Sequence, residues 1–165
     1  MPIQTGQQAP DFTLYSDEME PFRLSDQQGR PVVLLFFPGA FTSVCTDELC
    51  TVSDRLEEDF EGAQVVGIST NAPPALAEFR RANGLKMPLL SDHDADVSAA
   101  YGAKYDRFLE AGFSRIAKRA AFVIGSDGTV RYAEVLDDAG RQPDFEAIQR
   151  VLDGSRVLDG SDEGT

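Results

Sequence analysis

The feature that most constrains the fold is an apolar run at residues 32–37, followed by a short loop and a helical pattern. A continuous run of this length is typical of a strand that is covered on both faces of a sheet. After the loop, apolar residues recur at spacings of three and four: Leu49, Val52, Leu56 and Phe60. This spacing predicts a helix from about residue 42 to residue 60 with one buried face.

The rest of the chain alternates strand and helix patterns. Further strands are predicted at residues 64–69, 88–91, 120–124 and 129–135, and further helices at residues 71–82, 94–101 and 145–152. Two short extended pieces, at residues 9–14 and 22–25, predict an N-terminal β-hairpin. The order predicts an α/β fold in which helices flank a central mixed sheet. We expect one domain over residues 1–165, with residues 154–165 as a flexible tail.

The charge excludes several kinds of partner. Twenty-eight acidic residues oppose fifteen basic ones, which gives a formal net charge of −13. A negative surface repels phosphate, so we expect no nucleic acid and no membrane surface as partners. Only three residues are lysines. An acidic, lysine-poor surface is more typical of a protein adapted to high salt than of an ordinary acidic protein.

The start of the chain shows no signal segment, and the apolar run is too short to span a bilayer, so we expect a cytoplasmic location.

Cys45 is the candidate reactive residue. It follows the loop and falls in or near the first turn of the predicted helix. Unpaired backbone N–H groups and the positive end of the helix dipole stabilise a thiolate there, and the thiolate is the nucleophilic form of cysteine. Thr42 can cap the helix or offer its hydroxyl to a substrate. The alternative is that Cys45 is an inert core cysteine.

A metal site is not expected. Structural zinc needs four ligands, and the chain has two cysteines and a single histidine, His93, in a polar stretch where a solvent-facing loop is the simpler interpretation. No bound organic cofactor is expected either.

The second cysteine, Cys50, stands five residues after Cys45. On an intact helix the two Cα atoms would be about 8.7 Å apart, beyond the roughly 7 Å that a disulfide tolerates. A bridge between them therefore requires at least the first turn to unwind. The alternative is that Cys50 is a helix residue without a partner.

These residues resemble the peroxiredoxin family, whose Pro-x-x-x-Thr-x-x-Cys motif is matched by Pro38, Thr42 and Cys45. Other segments typical of the family stand at residues 6–14, at residues 88–92, and at residues 119–124 followed by Asp127-Gly128. Residues 99–102 and 130–134 are most similar to the E-type alkyl hydroperoxide reductase group. The Cys-x-x-x-x-Cys spacing is that of peroxiredoxin Q, or bacterioferritin comigratory protein.

The resemblance implies a thioredoxin-like fold with an N-terminal extension, and reduction of hydrogen peroxide and organic hydroperoxides. It implies that Cys45 attacks peroxide and becomes a sulfenic acid. Arg119 would stabilise the thiolate and hold the peroxide, Thr42 would hydrogen-bond at the reacting atoms, and Pro38 would shield the thiolate. Glu48 could contact Arg119 or could equally be a solvated helix carboxylate.

The resemblance also implies how the enzyme is recycled. Cys50 would condense with the sulfenic acid, and thioredoxin or a similar dithiol protein would reduce the disulfide. A one-cysteine cycle with an external thiol is the family's other route. The resemblance to the E-type group implies a homodimer, whereas the resemblance to peroxiredoxin Q allows a monomer. From a different functional class, a redox-sensing interaction protein switched by the same disulfide remains the alternative.

Overall fold

One mixed sheet organises the molecule. A computed structural model describes residues 3–108 and 112–158, and within these ranges seven strands form the sheet in the order β2-β1-β5-β4-β3-β6-β7. The strands are β1 Thr13–Ser16, β2 Pro21–Arg23, β3 Val32–Phe36, β4 Gln64–Ser69, β5 Leu89–Ser91, β6 Arg119–Ile124 and β7 Val130–Leu136. This confirms the predicted α/β class with a central mixed sheet.

Five α-helices accompany these strands in the described ranges. They are α1 Ser43–Asp54, α2 Leu56–Asp59, α3 Pro73–Asn83, α4 Asp96–Ala100 and α5 Phe145–Leu158, and a 3₁₀ turn spans Leu24–Gln27. Within the part of the chain that the structure describes, no helix is long and apolar enough to cross a membrane.

The pairing of the central strands determines where the loops meet. Strands β3, β4 and β5 are parallel neighbours, so their carboxyl ends lie at one edge of the sheet. Strand β6 is antiparallel to β3, with Phe36 opposite Ala120, so the start of β6 lies at that same edge. The predicted N-terminal hairpin is present, with Thr13 opposite Arg23, and β1 joins the sheet beside β5.

Several element boundaries differ from the sequence prediction, among them that of β1, which is expected over residues 9–14 and spans Thr13–Ser16. The helix expected over residues 42–60 is interrupted at Arg55, whose φ of −101° and ψ of 7° leave the helical region, and it resumes as α2. Phe60 is nevertheless buried, so the apolar spacing identified the buried face and missed the break. The last helix continues to Leu158, beyond the expected end at Leu152. The remainder of the predicted tail, residues 159–165, lies outside the described residues.

The core has two layers, one on each face of the sheet. Strand β3 is buried along its whole length, which is why its sequence shows no alternation. Its odd-numbered residues, Val33 and Leu35, face the layer that contains α1, α3 and α5. Its even-numbered residues face the layer beneath the N-terminal segment and Tyr101. Helix α1 therefore packs against β3 on the first of these faces.

Gly67, at the centre of β4, should tolerate no side chain. A Cβ at this position would lie 2.8 Å from Leu89 Cδ2 and 3.2 Å from Phe37 Cε1, inside a close-packed layer. We expect Gly67→Ala to lower the free energy of unfolding by about 1–3 kcal/mol, the usual cost of overpacking. Urea unfolding followed by circular dichroism measures the change.

The control is the same substitution at Gly154, an exposed position in α5 with no heavy atom within 4 Å of the added Cβ. There we expect alanine to raise stability by about 0.5–1 kcal/mol, because it loses less conformational entropy in a helix. Equal stabilities of the Gly67→Ala variant and the wild type would contradict the packing argument.

Candidate active site

Cys45 occupies the first turn of α1, as the sequence predicts. Thr42 is the N-cap residue, in an extended conformation, and Ser43 begins the helix. The Cys45 side chain is 0% exposed and belongs to the core layer between the sheet and α1. Its sulfur therefore lies near the free N–H groups of the helix start while being shielded from bulk water.

Arg119 meets Cys45 because of the strand pairing. It is the first residue of β6, and β6 begins where β3 ends. Its Nη2 donates to the Cys45 Sγ over 3.2 Å, and the residue is only 1% exposed. The sulfur is therefore in direct contact with a buried cation. Of the nearby basic residues, Arg115 is exposed and Lys118 pairs with Asp137 over 2.8 Å, so neither reaches the thiol.

Two further groups hold the guanidinium of Arg119. The Glu48 Oε1 accepts from Nη1 at 2.6 Å, and the carbonyl oxygen of Ala139 accepts from Nη2 at 2.9 Å and from Nε at 3.3 Å. Burial lowers the pKa of Arg119, but Glu48 and Cys45 raise it more, so the net shift is upward and the guanidinium stays charged. Contacts with Cys45, Glu48 and the Ala139 carbonyl thus fix the plane of the guanidinium from three sides.

Glu48 is a completely buried carboxyl group. It lies one turn after Cys45 on the same face of α1, and its Oε2 has no hydrogen-bond partner among the residues that the structure describes. Burial raises the pKa of Glu48, the ion pair with Arg119 opposes this, and the result is a pKa of about 7. The sequence left its role open between a contact with Arg119 and a solvated helix carboxylate, and the structure gives the first.

An open cavity of about 300 Å³ leads to this cluster. Its wall includes Pro38, Thr42, Val44, Phe108, Arg119 and Ala139. The wall is largely apolar, and its polar side chains are those of Thr42, Ser43 and Arg119. A small molecule that enters the cavity therefore meets Arg119, the residue that contacts the Cys45 sulfur.

Thr42 makes no side-chain cap on α1. Its hydroxyl donates instead to the carbonyl oxygen of Gly39 over 2.8 Å, within the loop. Of the two possibilities left open by the sequence, capping is therefore not seen, and the hydroxyl oxygen at the cavity wall keeps its capacity to accept a hydrogen bond.

Cys50 and Cys45 are both free thiols, and α1 is continuous between them. Cys50 is half-buried, and its Sγ lies 3.9 Å from the Asn83 Oδ1 at the end of α3. Burial raises the pKa of Cys50, and the carboxylates of Asp54 and Asp47 raise it further. The structure therefore keeps the two sulfurs apart, and it does not bring Cys50 into the Arg119 cluster.

Ala139 is the site residue that sequence reasoning missed. It acts through a backbone carbonyl, which leaves no trace in the identity of the residue. Phe108 was missed as well, since no periodic pattern places its segment against the cavity. His93 is exposed, in agreement with its interpretation as a solvent-facing loop residue.

Comparison with known proteins gives consistent matches. The model of the AhpC/TSA family matches residues 5–133. A Mycobacterium tuberculosis H37Rv protein whose name marks it as a candidate peroxiredoxin is 40% identical over 134 residues, 80% of this chain and 85% of that protein. Peroxiredoxin Bcp of Escherichia coli K12 is 34% identical over 139 residues, 83% of this chain and 87% of that protein. The crystal structure of peroxidoxin BcpB from Mycobacterium tuberculosis superposes with a TM-score of 0.78 at 34% identity, covering 94% of this chain and 98% of that one.

The buried Glu48 should make stability depend on pH. Its pKa is about 7 in the folded protein, against 4.5 as the ordinary value. Between these values the folded state binds more protons than the unfolded state, so the free energy of unfolding should fall as pH rises. We expect Glu48→Gln to remove about 2–3 kcal/mol of this fall between pH 4.5 and pH 7.5.

Urea unfolding at half-unit pH steps measures the effect, as the difference between the wild-type and variant curves. The exposed Glu58→Gln provides the matched control and should keep the wild-type slope. Parallel curves for wild type and Glu48→Gln would show that the carboxyl group does not titrate in this range.

Proposed function

The chain belongs to the AhpC/TSA family and is a thiol peroxidase of the peroxiredoxin type, and from this premise we propose that Cys45 is its peroxidatic cysteine. The observation that carries the proposal is the 3.2 Å contact between Arg119 Nη2 and Cys45 Sγ at the end of an open cavity. A thiolate held by a buried cation at a helix start is the form of cysteine that attacks peroxide.

The first step is displacement at oxygen. The Cys45 thiolate attacks one oxygen of the peroxide, the O–O bond breaks, and an S–O bond forms. The sulfur is oxidised to a sulfenic acid, while the departing oxygen takes a proton and leaves as water or as an alcohol. Negative charge spreads over the sulfur and both oxygens during this step, so preorganised donors aimed at them lower the barrier. The guanidinium and the N–H groups of the α1 start supply such donors.

The substrates we propose are hydrogen peroxide and organic hydroperoxides. The cavity of about 300 Å³ has room for more than the peroxide group, and Val44 and Phe108 give it an apolar wall. Pro38 covers one side of the approach. The Thr42 hydroxyl donates to Gly39, so its oxygen is available to accept from the peroxide O–H.

The second step joins the two cysteines. The Cys50 sulfur attacks the sulfenic sulfur of Cys45, an S–S bond forms and the S–O bond breaks. The departing hydroxyl takes up the proton that the Cys50 thiol gives up, and leaves as water. Since α1 keeps the sulfurs apart, the start of the helix must unwind first. Burial and two carboxylates raise the pKa of Cys50, so this step should accelerate as pH rises and more thiolate forms. A thioredoxin-like dithiol protein would then reduce the disulfide.

Treatment with one equivalent of hydrogen peroxide tests both cysteine assignments. We expect mass spectrometry of the wild type to show a Cys45–Cys50 disulfide. In Cys50→Ser we expect a Cys45 sulfenic acid, trapped by dimedone. An unmodified Cys45 in both proteins would refute the central assignment, and a stable sulfenic acid in the wild type would refute the role of Cys50.

Turnover separates the enzyme from a redox sensor. With a dithiol protein as donor, we expect many equivalents of peroxide to be consumed per chain, whereas a sensor would consume one.

Replacement of Arg119 should slow the first step. Lysine keeps the charge but cannot reach Glu48, Cys45 and Ala139 together. We therefore expect Arg119→Lys to lower the second-order rate constant of Cys45 oxidation about 100- to 1,000-fold, the usual effect of losing one donor to a developing charge. Competition kinetics against a reference peroxidase measures the rate constant.

The matched control is Lys118→Met, which removes the neighbouring cation that pairs with Asp137 and does not contact the cluster. Its rate constant should stay close to that of the wild type. A similar loss in both variants would point to general electrostatics rather than to the contact with the sulfur.

A further inference from the structure

The loop between β3 and α1, residues 38–42, is held by a residue that the reaction itself does not use. The backbone N–H of Ala40 donates to the Oδ1 of Asn71 over 3.0 Å. Asn71 follows β4, whose carboxyl end lies beside that of β3. We call this contact the Asn71 latch. It connects the loop that carries Pro38 and Thr42 to the end of the neighbouring strand, which is distant in sequence.

The acceptor of the latch is itself firmly placed. The hydroxyl of Ser69, a completely buried residue, donates to the same Oδ1 over 2.8 Å, and the Asn71 N–H donates back to the Ser69 Oγ over 3.2 Å. The Ser91 hydroxyl donates to the Asn71 carbonyl oxygen over 2.7 Å. Because the Ala40 N–H can only donate, the side-chain atom facing it must be the amide oxygen. The two serines therefore aim that oxygen at the loop.

The loop that the latch holds is strained. Phe41, the next residue, has a φ of 65°, in the left-handed region that a non-glycine residue adopts at a cost. Its ring is 57% exposed and touches the ring of Phe79 edge-on, with centroids 5.1 Å apart. A conformation of this kind persists only where its surroundings enforce it. Releasing the latch thus removes one of the contacts that keep the strained turn in place.

The latch also lies at the boundary of the segment that must unwind. The far part of α1 is fixed, since the Lys86 N–H donates to the Ser53 Oγ over 2.9 Å and Glu48 is buried against Arg119. Movement of Cys45 must therefore come from the helix start and the loop before it. While Ala40 is held, only four residues separate the latch from the thiol.

We propose that Asn71 is a positioning residue that stabilises the peroxide-reactive conformation of the loop, and that the latch must open before Cys45 can reach Cys50. This inference rests on the proposed two-cysteine cycle. It assigns to Asn71 opposite effects on the two steps: the latch favours oxidation of Cys45 and opposes formation of the disulfide. A residue with a merely structural role would not accelerate either step.

Single-turnover kinetics with rapid acid quench and mass spectrometry separate the steps. At low peroxide the rate reports Cys45 oxidation, and at saturating peroxide the rate reaches a plateau set by disulfide formation. We expect Asn71→Ala to raise the plateau about five- to tenfold, the effect of losing one hydrogen bond from the folded loop. The oxidation rate constant should fall, because the loop is less well ordered.

Two matched variants test whether the latch is responsible. Asn71→Asp keeps an oxygen acceptor for the Ala40 N–H and should restore both rates to within about twofold of the wild type. Ile148→Val removes one methyl group from the core layer that contains Cys45, at a position far along the chain, and leaves the latch intact. The plateau rate of this variant should therefore match that of the wild type. An unchanged or lower plateau in Asn71→Ala, or an equal rise in Ile148→Val, would overturn the proposal.

Hydrogen exchange of the wild type provides an independent test, because it requires no variant and so does not depend on whether a variant folds. The Ala40 amide should be protected in the reduced protein and unprotected in the disulfide form. Equal exchange of this amide in the two forms would overturn the proposal. Absence of the disulfide in the wild type would overturn both this inference and the proposed cycle, whereas a wild-type disulfide with unchanged variant rates would overturn the latch alone.

Discussion

The guanidinium of Arg119 is a buried charge, and its hydrogen-bond partners make that burial tolerable. Removing a cation from water costs several kcal/mol unless partners replace the lost hydration. Here the three partners come from two separate parts of the chain: Glu48 and the sulfur of Cys45 from α1, and the carbonyl of Ala139 from the segment after β7. Loss of any one partner leaves the charge less well compensated, so α1, the start of β6 and the segment after β7 are linked to one another through this group.

The sheet explains why these parts meet. Parallel strands β3, β4 and β5 end at one edge, and the antiparallel β6 begins there. The loop with Pro38 and Thr42, the residue Asn71 and the guanidinium are therefore neighbours, although they are distant in sequence. The cavity follows from the same arrangement, since its wall combines the loop between β3 and α1 with residues such as Phe108 and Ala139.

In the proposed two-cysteine cycle, reactivity and recycling make opposite demands on the start of α1. A folded first turn places the Cys45 sulfur against Arg119 and the helix N–H groups, whereas a bridge to Cys50 requires that turn to come apart. The loop before this turn is held by modest interactions, among them the backbone contact to Asn71 and the edge-on ring contact of Phe41. Contacts of this size can be broken and remade within a catalytic cycle, whereas the buried pair of Glu48 and Arg119 is positioned to limit how far the helix unwinds.

The sequence by itself determined the elements, because burial on both faces of β3 leaves a continuous apolar run and burial of one face of α1 leaves an apolar period. It also determined the family, through the spacing of Pro38, Thr42 and Cys45, since short-range spacing survives in a linear pattern. Only the tertiary structure decided the partners of Arg119, including whether Glu48 faces it, because that depends on strand order. It alone revealed Ala139 and Asn71, since a backbone carbonyl and a long-range amide contact are properties of position in space rather than of residue type.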